Sequence, residues 1–237
     1  MSASSIRLFV ESPLHEGAIV SPSDAQAHYL MNVMRAAPGD ILRLFNGEAG
    51  EWTAEIVNLS RKRVALKVIA QQCEMRPEPD CWLCFALLKR QKTDLVVEKA
   101  TELGVSVIQP MITARTQADH VNMARLRTIS VEAAEQCGRL VVPRLRAPMP
   151  LGQLMTTWPD RILYVADERR DAPLLRPDAS QFGPRALMIG PEGGFTDQEL
   201  EAVTRTPLVT RVSLGQRILR AETAVIAGLA LLLSGDP

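Results

Sequence analysis

Two patterns of apolar and polar positions divide the chain. From Ile6 to about Cys73, short alternating runs recur at Ile6–Val10, Ile41–Phe45, Trp52–Val57 and Val64–Ile69. Alternation with a period of two is the mark of a half-buried strand. Asn46-Gly47 follows the second run and is a strong hairpin-turn signal. A basic turn, Arg61-Lys62-Arg63, precedes the fourth. Between the first two runs, Ser23 to Arg35 reads as a helix, with Ser23 as its cap and Pro38-Gly39 as its stop. These elements predict a small β-barrel-like domain over residues 1–73. Residues 74–79 hold Arg76-Pro77-Glu78-Pro79, whose prolines lack amide donors and cannot continue a ladder, so they predict a linker.

From residue 80 to 237 the pattern changes. The continuous apolar run Cys81 to Leu88 predicts a buried strand, Thr93 to Leu103 a helix, Gly104 its stop and Val105–Ile108 a second strand. Strand, helix, strand at this spacing argues a parallel α/β sheet. A long helix is expected over Met123–Cys137. Strands are expected at Ile162–Ala166, Ala186–Ile189 and Leu208–Leu214, and a last helix from about Glu222 to Leu233. That helix is apolar on nearly every side, which fits either a core or a subunit interface.

Composition narrows the class. The chain of 237 residues is 46% hydrophobic and 23% charged, ordinary for a folded protein. Its 27 basic and 27 acidic residues balance, which argues mildly against nucleic-acid binding without excluding a local basic patch. Only Lys62, Lys67, Lys89, Lys92 and Lys99 are lysines. The remaining basic residues are arginines, whose planar fork suits phosphates and base edges. Cys81 and Cys84 form a lone C-x-x-C with no second pair at zinc spacing, so no metal is expected. Free thiols fit a reducing cytosol. The N-terminus lacks a basic segment followed by an apolar core. The longest apolar stretch, Ala224 to Leu233, is shorter than the ~20 residues a bilayer needs. A cytoplasmic protein with no membrane association is expected.

Three segments carry candidate chemistry. In Leu187-Met188-Ile189-Gly190-Pro191-Glu192-Gly193-Gly194-Phe195, a buried strand runs into a glycine-rich turn, and Thr196 with Glu199 forms a capping box for the next helix. Ligands of parallel sheets bind beyond the carboxyl ends of strands. The turn has neither a dinucleotide fingerprint nor a phosphate-loop lysine, so a ligand there would meet backbone and one carboxylate, Glu192. A tight turn without ligand is the alternative. In the second segment, the strand ending at Leu214-Gly215 passes through Gln216-Arg217-Ile218-Leu219-Arg220 into a helix carrying Glu222. In the third, Lys89-Arg90-Gln91-Lys92 opens the helix after the first strand. It could contact phosphate or be a solvated charged face.

Together these segments resemble the ribosomal RNA small subunit methyltransferase E family of the SPOUT superfamily. The resemblance spans nearly the whole chain. Its markers are His28 with Val33-Met34-Arg35 and Gly39-Asp40, then Lys92-x-Asp94 through Glu98-Lys99-Ala100-Thr101-Glu102-Leu103-Gly104-Val105. Glu135-Gln136-Cys137-Gly138-Arg139 with Pro143 and the two glycine loops complete them. Met34, Thr116 and Ala221 stand where the family usually has Leu, Ser and Thr. The resemblance implies a C-terminal trefoil-knotted parallel sheet with helices on both faces, an N-terminal PUA-like RNA-binding barrel and a homodimer. It implies methylation of N3 of one uridine in 16S ribosomal RNA by S-adenosylmethionine. Methylation of transfer RNA, or RNA binding in ribosome assembly without catalysis, are the rival activities.

Under this resemblance the cofactor lies against Leu163, Met188, Ile189, Gly190, Pro191, Glu192, Gly193, Gly194, Leu214, Gly215, Ile218 and Leu219. Arg220 or Arg217 would stabilise the uridine oxygens, and Glu192 or Glu222 would be the base. RNA docking would use Arg35, Arg61, Lys62, Arg63, Lys89, Arg90, Lys92, Arg115 and Arg139.

Overall fold

Alternation in the N-terminal part becomes a sheet with one buried face. The structure, a computed structural model, describes residues 6–60, 63–117, 121–169, 172–176 and 183–234. β1 (Arg7–Phe9) runs parallel to β3 (Ile41–Phe45). β4 (Glu51–Ser60) is antiparallel to β3 and to β5 (Arg63–Cys73), and β2 (Ile19–Val20) closes the far edge. Inward positions two apart, Leu42 and Leu44, Ala54 and Ile56, Leu66 and Val68, form the core with Leu8. Three register shifts along β4 and β5 bend and twist the pair, as bulges do. Asn46 Oδ1 accepts from the amides of Glu48 and Ala49, which builds the expected turn between β3 and β4.

The helix expected over Ser23–Arg35 is present but changes pitch. α1 (Asp24–His28) starts at a Ser23/Gln26 capping box and continues as a single π-helical segment over Tyr29–Val33. It ends at Arg35, whose φ of 50° breaks any helix.

Two compact units emerge: residues 1–77 with 134–142, and residues 78–133 with 143–237. The segment Ala134–Val142 therefore groups with the N-terminal unit, where sequence alone had no reason to place it. Two residues of β1 hold it: the Phe9 amide donates to Glu135 Oε1 at 2.9 Å, and Arg7, which is buried, makes the larger set of contacts. Its Nη1 donates to the carbonyls of Ala134 (2.9 Å) and Glu135 (3.0 Å), and its Nη2 to that of Arg139 (3.1 Å). Its Nε donates to Glu51 Oε1 at 2.7 Å. The carbonyls at the end of α3 (Met123–Cys137) have no partner within the helix, and one guanidinium supplies it.

The second unit is a parallel sheet in the order β12-β10-β11-β6-β7-β8, with β9 (Met149–Pro150) also paired to β7. Its strands are β6 (Cys81–Ala86), β7 (Val107–Ile112), β8 (Arg144–Leu145), β10 (Ile162–Ala166), β11 (Arg185–Ile189) and β12 (Val209–Val212). Strands buried on both faces read as unbroken apolar runs, and successive side chains here go to opposite cores. Leu83, Phe85, Tyr164, Leu187 and Ile189 pack with α2 (Arg90–Leu103) and α6 (Ala221–Leu233). Cys84, Leu163, Val165, Ala186 and Met188 pack with α4 (Leu151–Thr156) and α5 (Asp197–Thr204). The same alternation sends Cys81 and Cys84 to different faces, so the pair cannot grip one ion. Burial pushes the Cys84 thiol up to about 12, which keeps it an inert core residue.

Arg7→Ala should destabilise the protein by about 3–5 kcal/mol, because it leaves the buried Glu51 carboxylate short of its main partner. Urea denaturation should show the midpoint falling. Arg7→Met combined with Glu51→Leu should recover part of the loss.

Candidate functional site

The three strands β12, β10 and β11 end together. Val165 lies beside Met188 and Ala166 beside Val212 in the parallel register, so their carboxyl ends share one edge. Three loops leave from that edge: Asp167-Glu168, Gly190–Gly194 and Ser213–Arg220. They enclose a cleft of about 410 Å³, within the range of small-molecule sites.

Close packing explains the glycines of the middle loop. A Cβ on Gly190 would sit 3.1 Å from the Phe195 ring. One on Gly193 would sit 3.3 Å from Arg115 Cδ. Gly194 has a φ of +68°, and a Cβ there would lie 2.0 Å from Glu168 Oε1. The amide of Gly194 donates to the Pro191 carbonyl at 2.9 Å, closing the turn. α5 then starts at the expected Thr196/Glu199 capping box. Glu199 has a second task, since its Oε1 accepts from the Ala114 amide at 2.7 Å. Arg115 Nη1 donates to the Gly193 carbonyl at 2.6 Å. The segment after β7 thus clasps the glycine loop from outside.

The second loop is held by Ser213, whose Oγ donates to the Gly215 carbonyl and accepts from its amide. Ile218 is 67% exposed there, an apolar side chain left at the mouth of the cleft. The chain then enters α6, which lies so close to the sheet that a Cβ on Gly228 would meet Leu187 Cδ2 at 2.7 Å.

Charge is concentrated on one lysine. Lys92 Nζ lies 2.9 Å from Glu192 Oε1 and 3.7 Å from Glu222 Oε2. It therefore ties the first turn of α2 to the glycine loop and to the start of α6. The hydrogen bond from Lys92 is the main reason that the Glu192 carboxyl is held below the usual carboxylate range. The same bond raises the Lys92 ammonium. Glu222 Oε2 is buried and has no hydrogen-bond partner among the described residues.

Comparisons with known proteins agree with this architecture. The RNA methyltransferase domain family matches residues 76–233, and the RNA methyltransferase PUA domain family matches residues 22–69. A ribosomal RNA small subunit methyltransferase E of Rickettsia conorii is 33% identical over 227 residues, covering 94% of this chain and 93% of its own. The chain belongs to the ribosomal RNA small subunit methyltransferase E family. A member from Neisseria gonorrhoeae, solved bound to S-adenosyl methionine, superposes with a TM-score of 0.89 at 28% identity over 97% of each chain. A Legionella pneumophila protein, solved with the cofactor SAM bound, does so at 0.85 and 32% identity, also over 97% of each.

Within this methyltransferase E family chain, most residues expected at the cofactor do converge. Ile189 to Gly194, Leu214, Gly215, Arg217, Ile218, Leu219 and Arg220 all line the cleft. Leu163 and Met188 do not, because their fully buried side chains point into the α4–α5 core. Glu222 stands next to the cleft lining rather than in it, against Lys92. Sequence reasoning missed Asp167, Glu168, Ser213, Ala221 and Ala224. The acidic pair directly after a β10 strand end was the available signal for the first two. Asp167 receives Arg211 Nε at 2.8 Å and is buried, whereas Glu168 is exposed.

The expected RNA contacts scatter by environment. Lys89, Arg90 and Arg115 are exposed in the C-terminal unit, and Arg35 is exposed in the N-terminal one. Arg115 is engaged by the glycine loop and Lys92 by two carboxylates. Arg139 is buried. Arg61 and Lys62 lie outside the described residues, and Arg63 is placed only as the first residue of β5.

The ion pair with Lys92 is intact near neutrality and is lost as pH falls through the depressed Glu192 value. Lys92→Met should therefore move the Glu192 midpoint upward, toward that of an ordinary glutamate. Carboxyl carbon NMR titration would read this; an unmoved midpoint would mean that Lys92 does not set it.

Proposed function

We propose that this chain transfers the methyl group of S-adenosylmethionine to N3 of one uridine of 16S ribosomal RNA in the small subunit. The observation that carries the reading is the cleft between two glycine loops at the shared ends of β10, β11 and β12, in a family with two relatives solved with this cofactor bound. The residues fit such a group. Gly190, Gly193 and Gly194 put loop backbone in the cleft wall, where a ligand can meet it. Ile218, Leu214 and Leu219 offer apolar surface to an adenine face. When bound, the cofactor supplies an activated methyl on a sulfonium, so the protein's work is alignment and the nucleophile.

Uracil N3 carries a proton that must leave, and the negative charge then spreads onto the ring oxygens. Arg217 and Arg220 are exposed along the cleft and can stabilise that charge. Of the two carboxylates, Glu192 is the weaker base because Lys92 stabilises its charged form. Glu222 lies 3.7 Å from the same lysine, but its buried Oε2 has no hydrogen-bond partner among the described residues and is the acceptor we assign to the proton. Lys89 and Arg90, with Arg35 on the PUA-like unit, would hold RNA phosphates. The knotted path of the C-terminal sheet, a homodimer through the outer side of α6 and a cytoplasmic location belong to the same reading. The outer side of α6 leaves Ala230 and Leu231 exposed and Ile226 and Ala227 only half-buried.

The test mixes the protein and labelled S-adenosylmethionine with small ribosomal subunits lacking this modification, followed by nucleoside mass spectrometry. A 3-methyluridine at a single site is expected. Cofactor binding with no transfer would favour a non-catalytic RNA-binding role, and product on transfer RNA would move the substrate. Glu222→Gln should lower the single-turnover rate by on the order of 10²–10⁴-fold, with Glu192→Gln costing far less. In calorimetry, Gly194→Ala should weaken cofactor binding at least about tenfold, since it strains a positive φ and displaces Glu168.

A further inference from the structure

A second cavity, of about 240 Å³, opens in the C-terminal unit where β6 gives way to α2. Of the roles assigned above, only the phosphate contact of Arg90 touches it. It is smaller than the ~300–1,000 Å³ of a site that encloses a whole cofactor. We propose that it is a subsite for one nucleobase of the RNA strand next to the methylated uridine, a proposal that rests on the function proposed above.

Its walls suit a flat base. Leu87, Leu88 and Leu126 are buried and form the apolar part. Thr93 fixes that part, because its Oγ1 donates to the Leu88 carbonyl at 2.9 Å and accepts from the Leu88 amide at 3.2 Å. Arg125 forms a rigid polar wall. Its Nε and Nη2 grip Asp94 Oδ2 at 3.1 and 2.7 Å, which holds the guanidinium plane in one orientation while its side chain stays 44% exposed. A fixed guanidinium plane is a stacking surface for a splayed base. Asn122 Oδ1 accepts from the Arg125 amide at 3.0 Å, which leaves its NH2 as the donor pair for the cavity. Arg90 adds further donors. Donors on an apolar bed select a base edge with carbonyl acceptors, as uracil and guanine have.

The position fits a neighbour of the target. Within the first turn of α2, Lys92 reaches Glu192 at the cofactor cleft, while Arg90, Thr93 and Asp94 line this cavity. The two sites flank one helical turn. Sequence-specific RNA proteins commonly read single strands by splaying successive bases into such pockets.

Asn122→Ser tests the assignment, because it keeps an oxygen for the Arg125 amide while removing the NH2 donor pair and adding no charge. With small subunits lacking the modification, KM and the subunit Kd should each rise about tenfold, the worth of a lost hydrogen bond to a base. The affinity for S-adenosylmethionine should not change. Unchanged KM and Kd would overturn the subsite and leave the methyltransferase reading standing. A loss of cofactor affinity would also overturn it, by showing that the substitution acts through the cleft. If the wild-type chain transferred no methyl group, the proposed function would fall, and the subunit Kd of the variant would still decide the cavity.

Discussion

The parallel register of β10 with both its neighbours is the constraint on which the site depends. A one-residue slip in any of these strands would exchange its two faces and move its carboxyl end. Slippage is prevented because both faces are buried. Leu163 and Val165 are committed to the α4–α5 core, Tyr164 to the α2–α6 core, and β11 divides its residues in the same way. The cores therefore do more than stabilise the unit. They bring three loops, far apart in sequence, to one edge at a fixed level, and the cleft follows from that alignment.

Within the cleft, side chains are excluded by contact. Gly190, Gly193 and Gly194 are each pressed by a neighbour from a different part of the chain: Phe195, Arg115 and Glu168. Glu199 links two of these constraints, since one carboxylate caps α5 and fastens the segment after β7. Lys92 supplies the electrostatic counterpart by joining α2, the glycine loop and α6. A site held from several elements in this way is preorganised, and its geometry does not depend on any one exposed loop.

Much of this was legible in the sequence because it is local. The boundaries of α3 and β10 follow from periodicity, and the start of α5 from a capping box. The two glycine loops announced themselves as strand–turn–helix transitions. What escaped is non-local. Nothing in the order of residues says that Arg7 will satisfy carbonyls at 134, 135 and 139, or that those residues will therefore leave the unit that precedes them. Leu163 and Met188 were expected at the cofactor from the resemblance, Leu163 through its backbone. Strand alternation, which sequence does show, turns their side chains into the opposite core and leaves only their backbone to face a ligand. The carboxylate partners of Lys92 are 100 and 130 positions away, so its place at the joint of α2, the glycine loop and α6 was not visible locally.

The balanced charge of the chain is resolved by sorting its arginines by burial. Arg7, Arg139, Arg161 and Arg185 are all at least nine-tenths buried. Arg161 lies 3.8 Å above the Trp82 ring and pairs with Asp80, whose carboxyl is held below the usual range against the opposing effect of burial. Arg211 is matched by Asp167 in the same way. Arg7, Arg161 and Arg211 are matched by carboxylates and Arg185 by the Gly183 and Leu232 carbonyls, so these guanidinium groups are already engaged within the fold. Arg90, Arg217 and Arg220 are exposed near the cleft or the second cavity. A net charge of zero thus hides two populations, one spent on internal carbonyls and carboxylates and one left facing solvent. Only the second bears on RNA, and the local placement of Arg90, Arg217 and Arg220, rather than the sum over the chain, is the relevant electrostatic quantity.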